Sequence, residues 1–425
     1  MLMEEIVKVH GWVRSVRRLG NICFIVLWNW NQKIQLTIKK KEVSMELWKL
    51  IDELTPESVI VAEGRKAEKK IAKDVDLEIF PSQITLLSKA YAPLPLDPSE
   101  KVPALLPTRL DNRPLDLRNE KRHAIFKIYA ALIYAFEEWL RKNGFIRVYT
   151  PSIIGAPSES GAAVFPVKYF DRTVYLRQDP QLHRQLTIIA GFERLYDIGP
   201  SWRAEKSHTT RHLCEYTVCA VEQAFIEDEI DVEKTEEDLV KYALRKVKQK
   251  HSKELELLEV EIDIPRGSIP ELRFPEIYEI LKKFNKHIPY GESYDDESER
   301  ILGEYVKKEY DSDLFFVNRF PYKDKPFYVM KAEPPWARSV DLVYKGLEIS
   351  SGGQREHRYE VLMEQIKEKG LDPKNLEWYT KFFKYGAPPH GGFAIGIERM
   401  LMKMLNLKNI REAILFPRDP ERALP

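Results

Sequence analysis

The chain has 425 residues, a mass of 49.9 kDa, and 67 basic against 66 acidic side chains for a net charge of +1. That length predicts about two or three domains, and 44% hydrophobic with 11% aromatic residues is enough apolar material for packed cores, which excludes a small disulfide-stapled module and wholesale disorder. The charge balance excludes a histone-like polycation, while leaving room for local basic patches that meet phosphate backbones.

Five short strands are predicted first: Ile6 to Val16, Ile22 to Trp28, Ile34 to Ile38, Val59 to Arg65 and Leu77 to Leu87. Alternating Val, Ile and Leu with turn signals at Leu19-Gly20-Asn21 and Trp30-Asn31-Gln32 supports them. A helix near Val43 to Leu54 falls between the third and fourth strands, the order of an OB barrel, a fold that binds oligonucleotides on one face. Between Ala90 and Leu117 the texture turns Pro-rich, with Pro93, Pro95, Pro98, Pro103, Pro107 and Pro114. Proline fixes φ and removes a donor, so a semi-rigid extended connector and a domain boundary are expected here.

Beyond Lys121 an amphipathic helix, Ala124 to Lys142, ends at Asn143-Gly144, and a strand, Phe145 to Thr150, stops at Pro151. Further helices fit Pro180 to Ala190, Val232 to Lys248, Ser298 to Tyr310, Arg358 to Lys369 and Glu398 to Leu405. Apolar β segments lie around Leu195 to Arg203, Glu215 to Phe225, Leu314 to Asn318, Ser339 to Tyr344, Leu347 to Ser351 and Phe393 to Ile397. Hairpin-linked strands with helices grouped elsewhere predict an α+β domain on an antiparallel sheet. The expected domains are therefore 1–90, an OB barrel; 91–120, a Pro-rich hinge; and 121–425, an α+β domain.

Familiar signatures are missing: no GxxxxGK[ST], no GxGxxG opening a helix and no HExxH. Cys23, Cys214 and Cys219 form no CxxC pair, so neither a disulfide framework nor a cysteine zinc site is expected. The first residues lack the plan of a signal peptide, and no charge-free apolar run approaches the ~20 residues that span a bilayer, so a soluble, cytoplasmic protein with no membrane partner is expected.

The densest chemistry lies in Ser201-Trp202-Arg203-Ala204-Glu205-Lys206-Ser207-His208-Thr209-Thr210-Arg211-His212. Arg203 and Glu205 share one strand face, and a polar loop then delivers Arg211 and His212. Guanidinium groups suit a phosphate or carboxylate, although a solvated hairpin tip with a salt bridge has the same composition. Gly391-Gly392-Phe393-Ala394-Ile395-Gly396-Ile397-Glu398-Arg399 is a Gly-punctuated strand running into a helix with Arg399 in its first turn. Such glycines mark close approach by a ligand or another backbone, or ordinary strand–helix packing.

With Gly144-Phe145-Ile146-Arg147-Val148-Tyr149-Thr150-Pro151, these segments resemble motifs 2, 3 and 1 of the class II aminoacyl-tRNA synthetases. Adding the N-terminal barrel, Gly346-Leu347-Glu348-Ile349-Ser350-Ser351-Gly352-Gly353-Gln354-Arg355-Glu356-His357 and Leu415-Phe416-Pro417-Arg418-Asp419-Pro420, the whole chain is similar to the archaeal and eukaryotic type of aspartyl-tRNA synthetase. The resemblance implies activation of L-aspartate by ATP with Mg²⁺ and transfer to tRNA. Arg203 then clamps the α-phosphate, Arg399 grips the far phosphates, and Glu205 completes the catalytic set. Glu205, Arg211, His212, Tyr216, Glu348 and Gly396 join them in binding ATP, with Tyr216 in the adenine-stacking place. Glu348 and Ser351 match the Mg²⁺ site, with Asp341 a nearby acidic candidate.

For the amino acid, the resemblance implies that Arg355 pairs with the substrate's side-chain carboxylate. It also implies that Glu159, in Ser158-Glu159-Ser160-Gly161-Ala162, closes on the α-ammonium, and that Gln181, Arg184, Ser351 and His390 line the pocket. Pro151 implies a homodimer. Phe24 and Gln35 match residues that stack on and read the central anticodon base, which tRNA-Asp and tRNA-Asn share, so both tRNAs are candidate partners.

Several positions depart from the family. It usually reads Gln-Ser-Pro-Gln and then Lys, where this chain has Gln178-Asp179-Pro180-Gln181 and Arg184, and an expected Asp after motif 2 is Ala220. Ser160 and Ala394 stand where glycine is usual, and Trp28-Asn29 where the barrel strand normally carries Arg-Asp. Asp179 either caps the following helix or pairs with Arg184 to restore the missing carboxylate. A paralogue passing its adenylate elsewhere, such as an asparagine synthetase, and a weakly active tRNA-binding protein are the alternative functions. Retention of the barrel weighs against the first, and the intact Arg203, Glu205, Glu348, Ser351, Arg355 and Arg399 set against the second.

Overall fold

The computed structural model describes residues 5–30, 32–70, 72, 74–155, 164–206 and 209–425. The chain divides into two compact units, Met1–Asn119 and Glu120–Pro425.

In the first unit β1 (Ile6–Leu19), β2 (Ile22–Trp28), β3 (Lys33–Lys39), β4 (Val59–Lys66) and β5 (Leu77–Ser88) close into a barrel in the order β1-β2-β3-β5-β4. The predicted alternation places Val13, Ile25, Leu27, Ile34, Leu36 and Ile60 inside, all fully buried. Helix α1 (Met45–Glu53) starts where Ser44 Oγ accepts the Leu47 N–H at 3.2 Å and buries Leu47, Trp48 and Ile51.

The Pro-rich stretch departs from the extended connector expected. It contains two short helices, α2 (Leu106–Asp111) and α3 (Arg113–Asp116), each with a proline in its first turn. There the missing N–H costs nothing, so these prolines start helices as well as break them. Buried Asp116 draws them together, accepting from Arg109 Nε at 2.8 Å and Arg113 Nη1 at 2.5 Å.

The second unit is built on an eight-stranded sheet. Its strands are β6 (Ile146–Arg147), β10 (Arg194–Trp202), β11 (Glu215–Ala224), β12 (Glu271–Arg273), β13 (Leu314–Asn318), β14 (Ser339–Tyr344), β15 (Glu348–Arg355) and β16 (His390–Gly396). They run in the order β12-β13-β14-β15-β16-β11-β10-β6, antiparallel except for the parallel pairs at the two edges. The predicted strand Phe145 to Thr150 shortens to β6, since it pairs with β10 only at Ile146 and Arg147. A separate three-stranded sheet, β7 (Ile153–Ile154), β9 (Arg172–Leu176) and β8 (Pro166–Tyr169), has strands too short for sequence periodicity to reveal.

Long helices α4 (Glu120–Lys142) and α6 (Glu229–Lys250) cover one face of the large sheet. Ile128, Leu132, Phe136, Leu239 and Val240 pack with Phe316, Leu342, Ile349 and Ile395 in one core. The opposite face of β11, β15 and β16 is left for the cavity described below. Helix α5 (Gln181–Ile189) lies beside it. Among the described residues no helix is long and apolar enough to cross a membrane.

One buried group sets a pH dependence of stability. Glu236 of α6 is wholly buried, and burial in the first place pushes its carboxyl up to about 8. An unfolded glutamic acid titrates near 4.3, so between the two values the folded chain holds an extra proton and stability falls as pH rises, by at most about 1.4 kcal/mol per pH unit. Glu236→Gln removes the titration while keeping the shape. Thermal unfolding from pH 5 to 9 is expected to show a flatter curve for this variant, and parallel curves would refute the assignment.

Candidate active site

A cavity of about 380 Å³ opens on the sheet face away from α4 and α6. Its first half is cationic. Arg203 follows the last residue of β10 and is fixed by its backbone N–H donating to Cys214 O at 2.9 Å. Its guanidinium stands 3.5 Å from Glu205 and 6.0 Å from the ring centre of Tyr216. Arg399, in the first turn of the helix Ile397–Met404, donates to the Glu348 carbonyl at 3.1 Å and lies 3.6 Å from its carboxylate. Arg211 pairs with Asp296 and approaches Glu299 at 3.8 Å. His212 Nδ1 meets Thr209 Oγ1 at 2.5 Å, and burial lowers the imidazole's pKa below its ordinary value.

Three guanidinium groups thus converge with Tyr216 beside them, the donor set that a nucleotide polyphosphate with a stacked base requires. Gly396 lines the same wall, opposite Val218 in the strand register. Glu398 turns inward instead, accepting from the Thr217 N–H at 2.9 Å and Tyr129 Oη at 3.1 Å.

The second half is a closed network of opposite charges. Glu222, 0% exposed, accepts from Arg355 Nε at 3.0 Å and from Gln181 Nε2 at 2.9 Å. Arg355 Nη2 reaches Gln181 Oε1 at 3.3 Å and Gly392 O at 3.0 Å. Nη1 makes no hydrogen bond among the described residues, and Arg355 lines the cavity. Gly392 is required here because a Cβ would lie 2.0 Å from Val221 O and 2.5 Å from Glu222 Oε2. The close approach that the Gly-rich strand signalled is therefore made by Glu222 and its backbone.

Arg184 resolves one open question. It is fully buried, and its Nη2 donates to both Asp179 oxygens, at 2.6 and 2.7 Å, and to Gln181 Oε1 at 2.8 Å. The N-cap of α5 is Pro180, with no side chain capping it. Asp179 therefore pairs with Arg184 rather than capping the helix. Arg184 is absent from the cavity lining, whereas Asp179 is part of it. Ala220, 1% exposed, stands between Asp197 and Ala394 in the register.

Two other expectations change. His390 does not face the cavity: it is wholly buried, Nδ1 donating to Pro388 O at 2.8 Å and Nε2 accepting from Gln185 at 2.9 Å. Burial pushes its pKa down to about 4, so it is a neutral link behind the pocket, with Tyr379 Oη donating to Gln185 Oε1 at 3.1 Å. Asp341 is also buried, held by Lys325 Nζ at 2.8 Å and Ser351 Oγ at 2.6 Å, so it orients Ser351 rather than presenting an open carboxylate. Ser351 and half-exposed Glu348 remain as hard oxygen donors facing the cavity. Glu159 lies outside the described residues.

Sequence reasoning missed Glu222, Lys325 and Glu299. Burial, and then the nearby Glu348 charge, pushes Glu299 up to about 7. Glu222 could have been noticed as an acidic residue in an apolar strand run, Val218 to Ala224. Lys325 carried no local signal.

In the barrel unit Phe24 points outward, half-buried, opposite Arg17 and Thr37, and is not part of the core. Gln35 shares that face, its amide donating to Glu78 at 3.1 Å and Thr37 at 3.2 Å. Trp28 is covered, with Arg14 4.7 Å from its ring centre and Trp12 at 6.1 Å.

Comparison with known proteins agrees with this geometry. The family profile described as tRNA synthetases class II (D, K and N) matches residues 106–420, and that of the OB-fold nucleic acid binding domain matches residues 7–87. The chain is 47% identical over 421 residues to the aspartate–tRNA(Asp) ligase of Pyrococcus horikoshii, covering 99% of this chain and 96% of that one. It is 43% identical over 423 residues to the aspartate–tRNA(Asp/Asn) ligase of Aeropyrum pernix, covering 99% and 95%. The crystal structure of asparaginyl-tRNA synthetase from Pyrococcus horikoshii with asparaginyl-adenylate superposes with a TM-score of 0.91 at 32% identity, covering 99% and 96%.

Proposed function

The chain belongs to the class II tRNA synthetases of the D, K and N group, and from that premise we propose that it joins L-aspartate to ATP as aspartyl-adenylate and then transfers the aspartyl group to tRNA. The observation that carries this reading is one cavity with Arg203, Arg211 and Arg399 at one end and the Arg355–Glu222–Gln181 network at the other.

The aspartate α-carboxylate attacks the ATP α-phosphorus, the P–O bond to pyrophosphate breaks, and negative charge grows on the phosphoryl oxygens. Arg203 stabilises that charge, while Arg399 and Arg211 hold the leaving pyrophosphate; no covalent protein nucleophile is needed. Glu205 and His212 fix Arg203 and the nucleotide, and Tyr216 stacks on the base. Arg355 Nη1 takes the side-chain carboxylate, with Gln181 aligning the fork. Glu348 and Ser351 are the donors for Mg²⁺, with Asp341 orienting Ser351. Bound there, the ion would neutralise phosphate charge.

The barrel unit, with Phe24 as a stacking platform and Gln35 beside it, is the anticodon reader for tRNA-Asp, with tRNA-Asn as a second candidate. Its OB profile match weighs against a paralogue that makes no use of tRNA. Edge strand β6 and exposed Ile146, Tyr149 and Ile153, 52%, 80% and 46% accessible, support a homodimer through the Pro151 segment. A soluble synthetase of this kind would act in the cytoplasm.

ATP–pyrophosphate exchange with each amino acid tests the reading. Aspartate is expected to support exchange and asparagine to fail. No exchange, or exchange with another amino acid, would overturn it, and transcripts of tRNA-Asp and tRNA-Asn would then define the tRNA range.

A further inference from the structure

The nucleotide end of the cavity is braced by a helix, Asp296–Tyr310, that supplies none of the described lining residues. Asp295 starts it, its Oδ1 accepting the Ser298 N–H at 2.9 Å. The helix lies in backbone contact with the turn between β14 and β15. A Cβ on Gly303 would stand 2.8 Å from both the Cα and the N of Gly346, and one on Gly346 would stand 3.0 Å from Arg300 Cα. Glu299 precedes Gly303 by four residues, so it shares the face that meets this turn, one helical turn towards the N-terminus.

The pairing of β14 with β15 slips by one residue here, Leu342 facing Ser350 and Val343 facing Glu348. Such a slip frees a backbone donor. The Glu348 N–H is given to Glu299 Oε1 at 2.8 Å, and the carbonyl of the same residue accepts from Arg399 at 3.1 Å. The other Glu299 oxygen stands 3.8 Å from Arg211 Nη1, while Arg211 Nη2 pairs with Asp296. Those two acidic partners differ in environment. The Asp296 side chain is 66% accessible, so its pair is solvent-screened, whereas that of Glu299 is 8% accessible and acts where screening is weak. No hydrogen bond among the described residues joins Glu299 to the Arg355–Glu222–Gln181 network.

Resting on the reading of this cavity as a nucleotide-binding site, we propose that Glu299 is a positioning residue for ATP, holding Arg211 and the Glu348 peptide from behind the lining, and Arg399 through that peptide. A helix outside the motif segments thus sets the geometry of side chains that the motifs supply. The effect of its loss falls on ATP and spares aspartate.

Glu299→Gln keeps the size and the acceptor for the Glu348 N–H but removes the charge facing Arg211, and Glu299→Ala removes both. At about pH 8.5, above the value of about 7 to which burial pushes this carboxyl, the native side chain is ionised. There the ATP KM in aspartate-dependent ATP–pyrophosphate exchange is expected to rise by about tenfold in Glu299→Gln and about a hundredfold in Glu299→Ala, with the aspartate KM within about twofold. Calorimetric titration with ATP and Mg²⁺, without amino acid, should show the same loss in Kd, which a merely structural role would not confine to the nucleotide. Equal rises in the ATP and aspartate constants, or an unchanged ATP constant in Glu299→Gln, would overturn the proposal while leaving the activity in place. Absence of exchange in the unaltered protein would remove the aspartate-activating reading, and the calorimetric comparison would still decide the role of Glu299; absence of ATP binding would remove both. Should Glu299→Ala fail to fold, the isosteric Glu299→Gln carries the test alone.

Discussion

Arg203→Ala is expected to lower aspartate-dependent ATP–pyrophosphate exchange by about a thousandfold or more, with little change in thermal stability. A guanidinium poised where phosphoryl charge develops contributes on that scale to the transition state, because it is fixed before the reaction and works in a partly dry cavity. Its contribution to folding is small. The Arg203 side chain is 43% accessible, its partner Glu205 is 31% accessible, and their 3.5 Å pair is solvent-screened. Exchange kinetics and melting temperature measured together check both halves. Retained exchange would remove Arg203 from the chemistry, and a large fall in melting temperature would make its role structural.

At the other end of the cavity, Arg355→Lys should raise the aspartate KM by about a hundredfold while the ATP KM stays within about twofold. Lysine keeps a positive charge beside Glu222, which is 0% exposed, but cannot bond Glu222, Gln181 and a substrate carboxylate at once through a planar fork. Arg355→Ala is a different experiment. It strands the buried Glu222 charge, which costs about 3–5 kcal/mol of stability, so lost activity there would not separate binding from folding. Equal changes in the aspartate and ATP constants of Arg355→Lys would sink the assignment.

Both predictions concern residues legible in the sequence. Arg203 and Arg355 were found through the order and content of the motifs around them, and the barrel through alternation that places Ile25, Leu27, Ile34 and Leu36 inside. The helices α4 and α6 are legible from a 3.6-residue apolar period over about five turns. Where segments were short the signal failed: β7 has two residues and β8 four, too few for a period to register. The connector was misread for a related reason, because proline at a first helical turn and proline in an extended run look alike until Arg109 and Arg113 close on Asp116.

The sequence by itself determined the fold class, the family and the cationic residues that gather in the cavity, Arg203, Arg211 and Arg399, since these rest on local periodicity and on contiguous motifs. Tertiary structure alone decided partner choice. Glu222 meets Arg355 across 133 residues of chain, Gln181 joins them across 41, and Lys325 takes Asp341. It also turned His390 behind the pocket and Asp179 into it. A short window encodes backbone propensity and which face is apolar, but the partner of a buried charge is fixed by strand register and by which remote side chain reaches it before water is excluded. For that reason the pocket residues carried by contiguous motifs could be read along the chain, while their remote partners, Glu222 and Lys325 among them, and the division into cavity-facing and supporting side chains required the assembled sheet.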